Sequence, residues 1–92
     1  MTEDSWHDFL NLCLKFKKKN DLEKFFHLFL THEEKQLLKA RCLIVKALLN
    51  NEKTQRKIAE ENCVSIAQIT RGSNALKCID PKLREFLILQ FA

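Results

Sequence analysis

Thr54-Gln55-Arg56-Lys57-Ile58-Ala59-Glu60-Glu61-Asn62-Cys63-Val64-Ser65-Ile66-Ala67-Gln68-Ile69-Thr70-Arg71-Gly72-Ser73-Asn74-Ala75-Leu76-Lys77 holds two short helical segments across a tight turn. Thr54 can cap the first, which the pattern predicts through about Glu61. Asn62-Cys63-Val64 reads as the turn. Ser65 with Gln68 makes a capping box and opens the second helix, from Ile66 to about Lys77. Ile58, Ala59, Val64, Ile66 and Ile69 are the apolar positions expected to pack the pair. Two helices across so short a turn are a helix-turn-helix pattern, here spanning about 54–78. Many small helical proteins contain such a corner, so the wheel of the second helix carries more information.

The chain's one glycine, Gly72, falls inside that helix. A helical Gly costs about 1 kcal/mol relative to Ala, so something is expected to approach the backbone closely. At about 100° per residue, Ile66, Ile69, Ser73 and Leu76 share the core-facing side. Ala67, Thr70, Asn74 and Lys77 form a second strip that is small, polar and basic, suited to a major groove. Gln68, Arg71, Gly72 and Ala75 form a third. It pairs a guanidinium with missing side-chain volume, as one wall of a small pocket would.

Upstream, Thr31-His32-Glu33-Glu34 is a capping box opening a long helix to about Leu49, stopped by Asn50-Asn51. Leu37, Leu38, Cys42, Ile44, Val45, Leu48 and Leu49 make its apolar stripe. Arg41 falls inside that stripe, where a buried charge needs a partner, a ligand or a route to solvent. Arg41 and Arg71 facing one cavity would suit a planar aromatic anion, since a guanidinium can stack on a ring and grip a carboxylate. A helix from about Ser5 to Lys19 places Trp6, Phe9, Leu10, Cys13 and Phe16 on one face and closes on Lys15, Lys17, Lys18 and Lys19. Asn20-Asp21 starts a short helix through Leu28 or Phe29. Asp80-Pro81 starts the last, with Pro at the first helical position.

Ninety-two residues allow one domain, 1–92. Of these 46% are apolar, with seven Phe and one Trp. That is more apolar side chain than a small monomer hides, so a two-fold dimer is expected. One Gly and one Pro leave little room for loops and favour an all-α fold. The net charge of +4 suggests an anionic partner, with nucleic acid ahead of membrane. Cys13, Cys42, Cys63 and Cys78 show no C-x-x-C spacing, and His7, His27 and His32 do not cluster with them. Free, mostly buried thiols in a reducing cytosol are expected, without a zinc site. The acidic opening Met1-Thr2-Glu3-Asp4 predicts no signal peptide, and no apolar run approaches the ~20 residues of a membrane span. No nucleophile–His–acid arrangement or phosphate loop suggests an enzyme.

Phe26-His27-Leu28-Phe29-Leu30-Thr31 followed by Glu33-Glu34, then Arg41, Thr54-Gln55-Arg56 and above all Ile69-Thr70-Arg71-Gly72-Ser73-Asn74-Ala75-Leu76-Lys77 resemble the tryptophan repressor family. The resemblance runs from Phe26 to Leu87, roughly two-thirds of the chain. It implies an all-α fold of five to six helices, an intertwined homodimer, and L-tryptophan as corepressor. The implied partners are operator double-stranded DNA, a second copy of the chain and a small-molecule amino acid, with no membrane. It further implies an indole between Arg41 and Arg71 over Gly72, and a carboxylate on Arg71 with help from Thr31. The ligand ammonium would meet backbone carbonyls near Leu28 and Leu30. The implied DNA contacts are Gln55, Arg56, Ser65, Ile66, Ala67, Gln68, Thr70 and Lys77.

Four positions depart from the family's pattern. Ala75 replaces a serine that helps hold the ammonium, a loss of about 1 kcal/mol or roughly fivefold. Cys63 stands where glycine is usual, at a cost of ~1 kcal/mol if the backbone there is left-handed. Ala59 stands for a frequent lysine, and Gln68 for a smaller residue. The expectation is a cytoplasmic, tryptophan-dependent transcriptional repressor of tryptophan biosynthesis genes. The alternative is a related helix-turn-helix regulator answering to another small aromatic ligand or to none.

Overall fold

The computed structural model describes residues 3–50 and 52–91. Met1 and Thr2 of the acidic opening, and Asn51 of the expected helix stop, lie outside them. The described residues form six helices and no strand: α1 (Glu3–Leu14), α2 (Lys19–Phe29), α3 (His32–Asn50), α4 (Gln55–Asn62), α5 (Ile66–Lys77) and α6 (Pro81–Phe91). They fall into two compact units, Met1–Lys35 and Gln36–Ala92.

The helix starts follow local chemistry. Thr31 and Glu34 close a reciprocal box, with Glu34 N–H donating to Thr31 Oγ1 at 3.1 Å and Thr31 N–H to Glu34 Oε1 at 2.9 Å. Thr54 Oγ1 accepts from Lys57 N–H at 3.2 Å. Ser65 and Gln68 make the second box. Asp80 Oδ1 accepts from Lys82 N–H at 3.2 Å, with Pro81 at the first helical position.

In the first unit α1 and α2 meet through an aromatic cluster. Phe9 stacks on Phe25 at 5.6 Å and meets Phe29 edge-on at 5.3 Å. Trp6 stacks on Phe9 at 5.8 Å. Such pairs contribute about 0.5–1.5 kcal/mol each beyond area burial. The expected first helix is too long: α1 stops at Leu14, not Lys19. Lys15 N–H bonds Leu12 O and Phe16 N–H bonds Cys13 O, a tightened closure that turns the chain. The corner lets Phe16 lie on Phe25 at 4.9 Å. It also removes Lys15, Lys17 and Lys18 from a helix face where they would repel one another.

In the second unit Ile44 of α3, Ile58 and Ala59 of α4 and Ile69 of α5 form the buried core, with Ala47, Leu48 and Val64 against it. Leu76 is buried as well. α6 is tied on by Arg84, whose Nη1 donates to the Leu76 carbonyl at 3.2 Å, and by Lys46 above the Phe91 ring at 6.0 Å. The α4–α5 turn is left-handed at Cys63, φ 54° and ψ 39°, where its N–H caps the Ala59 carbonyl.

Three expectations about burial need correction. Ile66 is 50% exposed rather than core-facing, because it is the first residue of α5 and no earlier turn covers it. Leu37, Leu38 and Cys42 of the α3 stripe are exposed, and Ile44 alone of that helix is buried. The thiols are free but not mostly buried: Cys13 is half-buried, while Cys42, Cys63 and Cys78 are exposed. Cys63 and Cys78 cap α4 and α5, and Cys42 lies about 200° around α3 from Ile44.

Candidate ligand cavity and nucleic-acid interface

Gly72 is where α3 and α5 touch. A Cβ placed on it would lie 2.8 Å from Ile44 Cγ2 and 3.5 Å from Leu48 Cδ1. Its φ is not positive, so the glycine answers to space rather than to backbone shape. Beside that contact lies a cleft of about 430 Å³. Leu37, Arg41, Ile44 and Val45 of α3 form one side; Gln68, Arg71, Gly72 and Ala75 of α5 form the other. The volume is that of a small-molecule site.

Arg41 and Arg71 thus line one cleft from opposite helices. The ion pairs found among the described residues join Glu61 to Lys53 and, at 3.9 Å, to Lys57. Arg41 and Arg71 are both exposed, and among the described residues neither guanidinium has an ion-pair partner, which leaves donors for a ligand. Arg41 therefore reaches solvent from within the apolar stripe, as a long side chain can. The floor is apolar and the walls are cationic and planar, an arrangement that accepts a flat ring carrying a carboxylate.

A larger depression of about 630 Å³ involves α3 and α4, lined among others by Cys42, Leu43, Lys46, Ala47, Ile58 and Asn62. It has no pair of guanidiniums and no backbone-thin floor. The α3–α5 cleft is the better site on chemistry despite its smaller size.

Leu28, Leu30 and Thr31 belong to the other unit. Leu28 is 79% exposed at the last turn of α2, Leu30 is its half-buried C-cap, and Thr31 is engaged in the α3 box. Last-turn carbonyls of a helix lack internal partners and form its negative pole.

The strip Ala67, Thr70, Asn74 and Lys77 is exposed along α5. The Thr70 hydroxyl donates to Ile66 O at 3.0 Å, so its oxygen is left only to accept. Gln55 and Arg56 are exposed in the first turn of α4, and Gln55 Nε2 donates to Ser73 Oγ at 3.4 Å, joining the two helices. Ser65 and Ile66 are exposed at the start of α5. Gln68 differs from these: it is half-buried, lines the cleft and holds the Ser65 box. Ala59 is core, so a lysine there would have to snorkel out. Leu37, Ile44 and Val45, apolar-stripe residues by periodicity, also line the cleft; the one signal of this in the sequence is Arg41 lying among them.

Glu61 anchors the α3–α4 loop by accepting a hydrogen bond from Lys53. That bond holds its carboxyl below the ordinary glutamate value, with the Lys53 and Lys57 charges adding to the effect and partial desolvation opposing it.

Residues 4–90 match the family model described as Trp repressor protein. The chain is 58% identical over 85 residues to a Trp operon repressor homolog of Chlamydia caviae, covering 92% of this chain and 84% of the relative. It is 53% identical over 85 residues to one of Chlamydia trachomatis serovar D, covering 92% and 90%. It is 32% identical over 84 residues to one of Haemophilus influenzae, covering 91% and 83%. The chain belongs to the Trp repressor family, a family of DNA-binding transcriptional regulators and not of enzymes. No helix among the described residues is long and apolar enough to cross a membrane.

Proposed function

We propose that this chain is a cytoplasmic, L-tryptophan-dependent repressor that binds operator DNA of tryptophan biosynthesis genes as a homodimer. The observation that carries the reading is the α3–α5 cleft: two guanidiniums over a glycine floor, built into the same helix that offers the exposed strip to DNA. The indole lies between Arg41 and Arg71 over Gly72. Arg71 takes the carboxylate.

Gln55 and Arg56 hold phosphates; Ser65 and Gln68 lie at the mouth of the groove. Ile66, Ala67 and Thr70 face base edges, and Lys77 meets the backbone. Dimerisation is supported by apolar surface that one chain leaves open. α1, α2 and α6 bury no residue, and Leu14 is 81% and Leu89 73% exposed. Two reading helices must then stand ~34 Å apart, the rule for helix-turn-helix dimers drawn from proteins that include the tryptophan repressor itself. A ligand between α3 and α5 sets the reading head. By linkage, operator DNA tightens tryptophan binding by the same factor.

Ala75 in the cleft wall favours a second reading, in which another small aromatic ligand or none is the effector. A gel shift at fixed salt with and without L-tryptophan tests the first. Equal retardation in both lanes rejects tryptophan gating, and calorimetry against tryptophan, indole and other amino acids then separates the alternatives.

A further inference from the structure

Gln68 belongs to two structures at once. Its residue lines the α3–α5 cleft, one turn before Arg71 on the same strip. Its carboxamide also closes the capping box of α5: Oε1 accepts from Ser65 N–H at 3.0 Å and from the Ser65 hydroxyl at 3.3 Å, while Gln68 N–H donates to Ser65 Oγ at 3.1 Å. A backbone N–H only donates, so the carboxamide atom facing Ser65 must be oxygen, whichever way the amide is drawn. No hydrogen bond of Nε2 is found among the described residues, nor is any buried, unpartnered side-chain atom. The amide nitrogen is therefore reached by solvent while Oε1 holds the box.

We propose that Gln68 is the positioning residue through which occupancy of the cleft fixes the first turn of the reading helix. Gln is a rotamer-rich side chain, and an empty cleft leaves it room to leave the box. An occupant fills that room, restricts Gln68 to the rotamer that accepts from Ser65, and so holds Ser65, Ile66 and Ala67 in one arrangement. The ligand selects a population of the helix start that the empty protein visits only part of the time. This goes beyond Gln68 as a DNA contact, and it rests on the cleft being the tryptophan site.

The test is the ratio of DNA affinity with saturating L-tryptophan to DNA affinity without it, read by fluorescence anisotropy at fixed salt. Saturation of each protein is established by calorimetry. Three full-length proteins are compared: the wild type, Gln68→Ala, which loses the box, and Gln68→Glu, which keeps an acceptor at the favoured capping-box position. The ratio should fall about fivefold in Gln68→Ala and return to within about twofold of wild type in Gln68→Glu, on the scale of one capping interaction. A residue with only a structural or DNA-contacting role would weaken binding equally in both conditions and leave the ratio unmoved. An unchanged ratio in Gln68→Ala overturns the inference, as does failure of Gln68→Glu to restore it. A wild-type ratio of one overturns the tryptophan-gated function itself, and is seen before any substitution is compared.

Discussion

Replacing Gly72 with alanine sets two known effects against each other. In an open helix the change stabilises by about 1 kcal/mol. Here the new methyl would lie 2.8 Å from Ile44 Cγ2. Ile44 is 2% exposed and β-branched, so its χ1 has one strongly preferred helical setting and the methyl cannot swing aside. The helices must part by several tenths of an ångström, and overpacking of this kind costs about 1–3 kcal/mol. The sum is a net loss of about 1 kcal/mol for Gly72→Ala. Urea unfolding at one fixed chain concentration measures it, because any oligomer makes stability depend on concentration. The decisive comparison is the same substitution in an Ile44→Ala background, where Cγ2 is gone. Gly72→Ala should then stabilise by about 1 kcal/mol, giving a coupling of about 2 kcal/mol between positions 44 and 72. Were Gly72→Ala to stabilise the wild type, or to act alike in both backgrounds, the close-contact account of this glycine would be wrong.

Cys63→Gly should stabilise by about 1 kcal/mol, since Cys63 is the one non-glycine residue with positive φ among those described; destabilisation in urea would contradict this. Ala75→Ser should tighten L-tryptophan binding roughly fivefold by calorimetry, one hydrogen bond restored at the cleft wall, and no change would remove Ala75 from the ligand's contacts. Lys77→Ala should weaken DNA binding and lower the salt slope by about one; an unaltered slope would show that Lys77 meets no phosphate. Lys53→Ala should return the Glu61 carboxyl toward the ordinary glutamate range in an NMR titration. A depressed folded-state pKa means Glu61 stabilises above the ordinary range, and that contribution is lost as pH falls through its lowered value; a Glu61 titration unmoved by Lys53→Ala would rule out the bond as the cause.

Helix starts at Thr31, Thr54, Ser65 and Pro81 were legible in the chain, because capping involves residues within three positions of each other. The α5 strips were legible for a related reason: 3.6 residues per turn assigns faces without knowledge of neighbours. Periodicity therefore groups Arg71, Gly72 and Ala75, and Arg41 stands out by its place in an apolar stripe. The end of α1 was not legible, since Phe16 turns to meet Phe25, nine positions on and in another helix. Nor was the exposure of Ile66, Cys42 and Leu37, which depends on what packs against a face and not on the face itself.

Gly72 and Gln68 mark the boundary between the two kinds of information. That a glycine inside a helix signals close approach is written in the linear chain; that Ile44 is what approaches emerges when α3 crosses α5. That Gln68 completes a cap is local; that its side chain also walls a cleft belongs to the packed arrangement. Hydrogen bonds between near neighbours and helical periodicity are short-range and survive in the sequence. Cavities, crossing points and solvent exposure are sums over residues far apart in the chain, and exist once those residues have met.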